Sequence, residues 1–169
     1  MIEIERKFLL KAIPDILPTE KVKIVQFYFK NEEGVWERVR QWDSNLYGLK
    51  WVHTIKTKIS DCSNNEVEKD ITKLEYYKFR KMCKAKSNSK FIKKERWIYP
   101  DGDLYWEVDI FKDSITRCHI VIAEIEIPSE DHDLKIPEFI SKKSLLEVTG
   151  MKQFSNRSLS ISVSKMKTF

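Results

Sequence analysis

The stretch Glu3-Ile4-Glu5-Arg6-Lys7-Phe8 places charged side chains at every second position, with Ile4 and Phe8 between and after them. Successive side chains of a β-strand point to opposite faces, so Glu3, Glu5 and Lys7 would share one face of a strand. The stretch therefore predicts a strand with one charged face and one largely apolar face.

The same period of two recurs along most of the 169 residues. It predicts eight strands: Ile2–Leu10, Val22–Lys30, Val35–Trp42, Leu49–Ile59, Glu66–Ile71, Phe91–Tyr99, Leu104–Phe111 and His119–Ile127. Helices are predicted at Thr72–Cys83, from Pro137 to about Leu146, and from about Ser155 onward. Many strands and few helices favour an antiparallel barrel or a strongly curved sheet. The length fits one domain spanning residues 1–169.

Several predicted strands carry two like charges on one face with a residue between them. These pairs are Arg38/Arg40, Lys56/Lys58, Glu66/Glu68, Lys94/Arg96, Glu107/Asp109 and Glu124/Glu126. Two structures fit the alternation. The charged face could look at water while the apolar face packs on a core, as in a half-exposed antiparallel sheet. Alternatively, the sheet could close with the charges inside. Periodicity alone does not separate the two.

A charged lumen would need a ligand carrying both signs of charge, because isolated buried charges are too costly. A metal-bound triphosphate meets that condition. Paired carboxylates offer the hard oxygen ligands that suit Mg²⁺ or Mn²⁺. Paired Arg and Lys side chains suit phosphate oxygens. The acidic and basic pairs lie on different strands, so one wall could hold metal and another phosphate.

Composition and motif searches exclude several other classes. The formal net charge of +5, from 31 Lys and Arg against 26 Asp and Glu, suits an anionic partner. The three cysteines form no CxxC, so free thiols in a reducing compartment are expected. No apolar run approaches a membrane span and no secretory segment is evident, so a cytoplasmic location is expected. The sequence has no GxxxxGK[ST] loop and no convincing nucleophile set around its histidines.

The ordered motifs resemble those of the CYTH, or triphosphate tunnel metalloenzyme, superfamily. The N-terminal Glu3-x-Glu5-x-Lys7 is similar to the ExExK signature that opens that family. Motifs in the family's order then follow: Gln26-Phe-Tyr-Phe29, Arg38-Val-Arg40, Thr54-Ile-Lys56, Glu66-Val-Glu68, Lys94-Glu-Arg96-Trp97, Trp106-Glu-Val-Asp109, Ala123-Glu-Ile-Glu126, Val148-Thr-Gly150 and Phe154-Ser-Asn156.

The resemblance implies a mainly β fold of the α+β class: an eight-stranded antiparallel β-barrel with a charged tunnel and flanking helices. It implies Mg²⁺ or Mn²⁺ bound by Glu3, Glu5, Glu124 and Glu126, with Asp109 assisting. It implies phosphate binding by Lys7, Arg38, Arg40, Lys56, Lys94 and Arg96. Glu5, Lys7 and Tyr28 are the implied catalytic side chains. For Lys152, a solvated side chain is favoured over one that reaches the tunnel mouth.

The favoured function is metal-dependent hydrolysis of inorganic tripolyphosphate or of a nucleoside or organic triphosphate. A class IV adenylyl cyclase would use the same tunnel, but the ribose 3′-hydroxyl would attack the α-phosphate. Two further candidates are an RNA 5′-triphosphatase and a non-catalytic sensor of polyphosphate or nucleotide. The expected partner is a small-molecule triphosphate, with no membrane and with nucleic acid only as an RNA 5′-triphosphate. A monomer and a homodimer both remain open.

Overall fold

The strands form one antiparallel sheet in which almost every strand has two neighbours. The computed structural model describes residues 2–60, 63–86, 88–112 and 119–162. Its strands are β1 (Ile2–Leu10), β2 (Glu20–Lys30), β3 (Trp36–Ser44), β4 (Gly48–Lys58), β5 (Ser63–Ile71), β6 (Lys90–Asp101), β7 (Leu104–Lys112), β8 (His119–Glu126), β9 (Ser144–Glu147) and β10 (Ile161–Ser162). Its helices are α1 (Lys73–Ala85), α2 (Glu138–Ser141) and α3 (Asn156–Leu159), with a 3₁₀ helix at Lys152–Phe154.

The order of the main strands is β6-β2-β3-β4-β5-β1-β8-β7. β6 pairs with β2 through nine residue pairs, from Glu20↔Ile98 to Tyr28↔Lys90. The same strand also pairs with β7, from Glu95↔Ile110 to Asp101↔Leu104. The chain therefore folds as a mainly antiparallel β protein with few helices, in which the pairings starting at β6 return to β6.

The apolar alternate positions of the strands are covered by the helices. On one side Phe27, Val39 and Phe91 pack with Tyr76 and Cys83 of α1. On another side a larger cluster includes Phe8, Trp106, Val108 and Ile125, and Ile140 of α2 packs into it. We call this the helix-covered face, and its burial explains why the apolar residues recur with a period of two.

The predicted helix from Pro137 to about Leu146 is wrong in its second half. The helix ends at Ser141, and the next residues form β9, which pairs with β1. On that edge of β1, β5 pairs only with residues Ile2 to Ile4. β9 then pairs with Phe8, Leu9 and Leu10, supplying hydrogen-bond partners that this part of the edge would otherwise lack.

The structure confirms a buried free thiol at Cys83. Cys62 and Cys118 lie outside the described residues. Among the helices of the described ranges, none is long and apolar enough to span a membrane.

Ile140→Ala should lower the free energy of unfolding by about 2–4 kcal/mol, because it leaves a cavity in a well-packed cluster. Ile140 is fully buried against the sheet. Urea denaturation of the variant and the parent protein would measure the change. Leu145→Ala is the control, since Leu145 is 61% exposed and its truncation should change stability little.

Candidate active site

Strand register brings acidic and basic side chains of different strands opposite one another on the second face, which we call the charged face. Across β1 and β8, Lys7 lies opposite Glu124 and Glu5 lies opposite Glu126. Across β6 and β7, Arg96 lies opposite Asp109. Cross-strand partners have closely spaced Cβ atoms, so these pairings place opposite charges within reach.

The charged face is buried at its centre. Lys94 and Arg96 are each 6% exposed, Glu124 is 7% exposed and Asp109 is 0% exposed. Such residues are rarely buried unless they are paired. The charged side chains at these four positions are therefore not solvated, whereas Glu68 and Glu126 are exposed.

Asp109 is the anion at the centre of one buried network. Arg96 donates to it twice, from Nε to Oδ1 at 2.7 Å and from Nη2 to Oδ2 at 2.8 Å, and Lys94 Nζ also donates to Oδ2. Arg96 additionally contacts Glu107. Burial and the neighbouring Arg96 lower the pKa of Lys94 to about 8, against the opposing pull of Asp109. The network holds two cations on one fully buried carboxylate.

Lys7 forms a second network with two acids. Its Nζ lies 2.9 Å from Glu124 Oε1 and 3.2 Å from Glu5 Oε1. Burial alone would lower the pKa of Lys7, but Glu124 and Glu5 outweigh it and raise the pKa above its ordinary value. Burial would raise the pKa of Glu124, yet Lys7, Lys94 and Arg96 hold it well below its usual range. Lys7 and Glu124 are therefore both charged at neutral pH.

Arg38 and Arg40 form the third network with acids of β5. Arg38 Nη2 lies 2.9 Å from Glu66 Oε2 and 3.3 Å from Glu68 Oε1, and Arg40 also contacts Glu68. The Nε atoms of both arginines are buried and have no hydrogen-bond partner among the described residues. Burial and the adjacent Arg38 lower the pKa of Arg40 to about 10, so it still carries its charge at neutral pH.

Tyr28 lies where the charged face meets an apolar layer. It packs with Ile92, Phe111 and Ile122, with Phe154 and Leu159 of the C-terminal segment against them. Gln26 Nε2 donates a hydrogen bond to the Tyr28 hydroxyl. Burial raises the pKa of Tyr28 to about 12. The phenol is therefore protonated at neutral pH, so its hydroxyl group is able to donate a hydrogen bond and is not a base.

A cavity of about 340 Å³, which we call the basic cavity, opens beside these groups. Its size falls within the range of about 300–1,000 Å³ that is typical of small-molecule sites. Its cationic lining residues are Lys7, Arg38, Lys152 and Arg157. It is also lined by Glu5, Tyr28, Trp36, Glu37, Thr54, Val148, Gly150, Met151, Ser155, Asn156 and Ser158.

A second cavity of about 380 Å³, the acidic cavity, has no basic residue among the described residues that line it. These residues are Glu5, Glu20, Tyr47, Ile98, Tyr105, Glu107, Glu124, Ile125 and Glu126. Glu5 lines both cavities. Within the described ranges, no three His, Cys, Asp or Glu side chains are grouped closely enough to hold a metal ion.

The predicted site residues divide between these places. Glu5, Lys7, Tyr28 and Arg38 line the basic cavity, and Glu5, Glu124 and Glu126 line the acidic one. The buried networks hold Arg40, Lys94, Arg96 and Asp109, none of which lines either cavity. Glu3 lies opposite Asn64 on β1 and β5 and lines neither cavity. The side chain of Lys56 lies outside what the structure describes.

The sequence interpretation missed part of the basic cavity. Lys152 is exposed, as the sequence analysis expects, but it also lines this cavity, and so does the exposed Arg157. Arg157 Cζ lies 5.0 Å from the centre of the Trp36 ring. Both cations belong to a segment of short helices and turns without a periodic pattern. The resemblance of Val148-Thr-Gly150 and Phe154-Ser-Asn156 to family motifs pointed to this segment, but not to Arg157.

No protein-family model matches this chain, and no curated protein matches it significantly. Solved structures do resemble it. One is the crystal structure of the inorganic triphosphatase NE1496, with a TM-score of 0.58, 24% sequence identity, and coverage of 95% of this chain and 98% of the other. Another crystal structure of NE1496 gives a TM-score of 0.59 at 24% identity, covering 94% and 97% of the two chains.

A further match is HpAC1 from Hippeastrum, a candidate adenylyl cyclase that reveals a dominant triphosphatase activity. Its TM-score is 0.53 at 16% identity, covering 75% of this chain and 80% of the other. At identities this low, the structural likeness establishes the fold alone. The fold of this chain is therefore similar to that of the inorganic triphosphatase NE1496 and of HpAC1.

Proposed function

We propose that this protein hydrolyses a triphosphate with the help of a divalent cation, between the basic and the acidic cavity. The observation that carries the proposal is the separation of charge around Glu5. One cavity beside it presents Lys7, Arg38, Lys152 and Arg157, whereas the described residues of the other present only acidic charges. Phosphoryl transfer needs mainly positioning and charge stabilisation, which such a site supplies.

We further propose that the sheet closes as an eight-stranded barrel with the two cavities as parts of one tunnel. The return of the strand pairings to β6 supports this architecture. The burial of Lys94, Arg96 and Asp109 on the face opposite the helices supports it as well. A tunnel would exclude water and strengthen each charge interaction inside it.

The donor chemistry of the acidic cavity fits Mg²⁺ or Mn²⁺, because the charged groups among its described lining residues are carboxylates. Glu5, Glu124 and Glu126 would hold the cation after their side chains move closer together, because no three acids of the described residues are now grouped closely enough to do so. Glu3 and Asp109 are the other predicted acids. When bound, the cation would polarise phosphate oxygens and lower the pKa of the attacking water. Glu124 would exchange its contact with Lys7 for the cation, which frees the Lys7 ammonium for phosphate.

The basic side chains would bind the phosphate chain. Arg38 lines the basic cavity and offers a buried Nε–H that has no partner among the described residues, and a phosphate oxygen is suited to accept from it. Arg40 has a second such Nε–H, although Arg40 itself lines neither cavity. Lys7 adds a fully charged ammonium at Glu5, and Tyr28 adds a neutral hydroxyl donor. The proposed phosphate-binding residues also include Lys56, Lys94 and Arg96. Of these, Lys94 and Arg96 belong to the buried network around Asp109.

In the proposed reaction a water oxygen forms a bond to the terminal phosphorus, and the bond from that phosphorus to the bridging oxygen breaks. Orthophosphate and the remaining diphosphate are released, and the proton of the water leaves with the products. The basic cavity stabilises the negative charge that accumulates on the leaving diphosphate. The same groups would serve inorganic tripolyphosphate and an organic triphosphate.

The direct test incubates the purified protein with tripolyphosphate, ATP or thiamine triphosphate, with Mg²⁺ or Mn²⁺, and separates the products. Phosphate release that EDTA abolishes is the expected result. Formation of cyclic AMP and pyrophosphate from ATP would show the cyclase instead. Tight binding without turnover of any of the three would show a sensor.

Arg38→Ala is expected to reduce kcat/KM for the preferred triphosphate about a hundredfold, because it removes one charged donor in a buried site. Steady-state kinetics measure the effect, and thermal unfolding should show that the variant still folds. Arg6→Ala is the control, since Arg6 pairs with Glu147 away from both cavities. Equal losses in the two variants would contradict the assignment of Arg38 to the substrate.

A further inference from the structure

Glu68 of β5 is bound by three groups of the site yet stays accessible to solvent. Thr54 Oγ1 donates to its Oε1 at 2.9 Å, Arg38 Nη2 lies 3.3 Å from the same oxygen, and Arg40 also contacts it. The Glu68 side chain is 42% exposed, against 13% for Arg38 and 11% for Arg40. Because the Glu68 carboxylate is partly exposed, it can move away from the two guanidinium groups into solvent at little desolvation cost.

Two of its partners belong to the basic cavity. Arg38 and Thr54 both line that cavity, so Glu68 contacts the groups that face a ligand there. Burial would raise the pKa of Glu68, but Arg40, Thr54 and Arg38 together hold it below its ordinary value. Glu68 is therefore an anion at neutral pH. It does not line the basic cavity itself, but it contacts Arg38 and Thr54, which do.

Glu66, the other acid of this network, differs in its accessibility. Its side chain is 3% exposed, and it contacts Arg38 Nη2 at 2.9 Å. Removing a buried acid from its cation is strongly unfavourable, whereas a half-exposed acid gives up far less. Glu66 is thus suited to hold Arg38 in place while Glu68 is exchanged.

We propose that Glu68 is an internal anion that occupies Arg38 and Arg40 until a phosphate group displaces it. This competition would weaken the binding of every phosphate by a common factor, so that an anion needs further contacts in the site to bind well. The inference rests on the proposed function of the same site. Carboxylate and phosphate are both recognised by the guanidinium fork, so they compete for the same donors. A triphosphate offsets the loss of the Glu68 contacts through further contacts at Lys7 and its neighbours. Orthophosphate has fewer such contacts.

The test is Glu68→Gln, which keeps the shape of the side chain and removes its charge. Calorimetric Kd values for orthophosphate, pyrophosphate and tripolyphosphate should all fall. The fall should be about tenfold for each of the three anions, equivalent to about 1.4 kcal/mol, because each of them displaces the same carboxylate. KM for tripolyphosphate should fall while kcat changes by less than about twofold, the pattern of an altered ground-state binding step. Asp70→Asn is the matched control, because Asp70 lies two residues further on the same strand face and is exposed.

Weaker or unchanged binding of the smaller anions by Glu68→Gln would overturn the proposal, since it would make Glu68 a support for the arginines. A loss of kcat would likewise overturn it in favour of a catalytic or metal-binding role. If Glu68→Gln does not fold, Thr54→Val removes one hydrogen bond to Glu68 and should shift the Kd values in the same direction. If the parent protein binds these anions without hydrolysing them, the proposed function fails, and the Kd comparison still decides the role of Glu68.

Discussion

Glu124→Gln should reduce the rate of tripolyphosphate hydrolysis on the order of a hundredfold or more, one of the two largest effects that the structure leads us to expect. Glu124 joins the parts of the site: it contacts Lys7 at 2.9 Å, approaches Arg96 at 3.5 Å and lines the acidic cavity. Glutamine preserves the volume and one acceptor oxygen but removes the charge that a divalent cation requires.

The measurement combines steady-state hydrolysis with calorimetric titration of Mn²⁺, so that metal affinity is read separately from turnover. The hydrolysis rate and the affinity for Mn²⁺ should both be lower in Glu124→Gln than in the parent protein. The control is Glu20→Gln, which makes the same change in the lining of the same cavity. Glu20 Oε1 accepts a hydrogen bond from Ser44 Oγ at 2.5 Å, at the end of β2 remote from the Lys7 network. Hydrolysis by Glu124→Gln within about twofold of the parent rate would refute the proposed metal site.

Much of the fold could be predicted because strand formation is a local property. Each of the eight predicted strands occurs, with ends displaced by a few residues. The helix predicted through Leu146 failed for a non-local reason. Ser144–Glu147 pairs with β1 along an edge that β5 leaves uncovered, and nothing within that stretch of sequence reveals the uncovered edge.

The candidate site was predictable only in part, for a related reason. The alternation of Glu5 and Lys7 identifies a shared face, but a solvated face and a buried one give the same period. Lys7 and Glu124 are 117 residues apart, so their contact depends on β1 lying beside β8 in one register. Lys152 and Arg157 reach the cavity because of the way the C-terminal segment lies against the sheet. A periodic pattern in the sequence does not predict such packing.

Asp109→Asn should cost about 3–5 kcal/mol of unfolding free energy, the penalty for leaving buried charge uncompensated. Asp109 is completely buried, and both of its oxygens accept from Arg96 while Lys94 donates to one of them. Asparagine fills the same space, so the loss reflects charge rather than a cavity. Urea denaturation gives the free energy, and Asp103→Asn in the exposed turn between β6 and β7 is the control.

A second substitution identifies the cause of that loss. If two uncompensated cations destabilise Asp109→Asn, then adding Lys94→Met should restore part of the stability, although Lys94→Met alone should destabilise. A double-mutant cycle of the four proteins measures this coupling, which should exceed about 1 kcal/mol for residues in one buried network. The sequence motif instead implied that Asp109 assists the metal. In that case Asp109→Asn would lower Mn²⁺ affinity with little change in stability, and the coupling to Lys94 would be near zero. The fully buried position of Asp109 between Lys94 and Arg96 leads us to expect the first outcome, with Asp109 fixing the cations that face the phosphate chain.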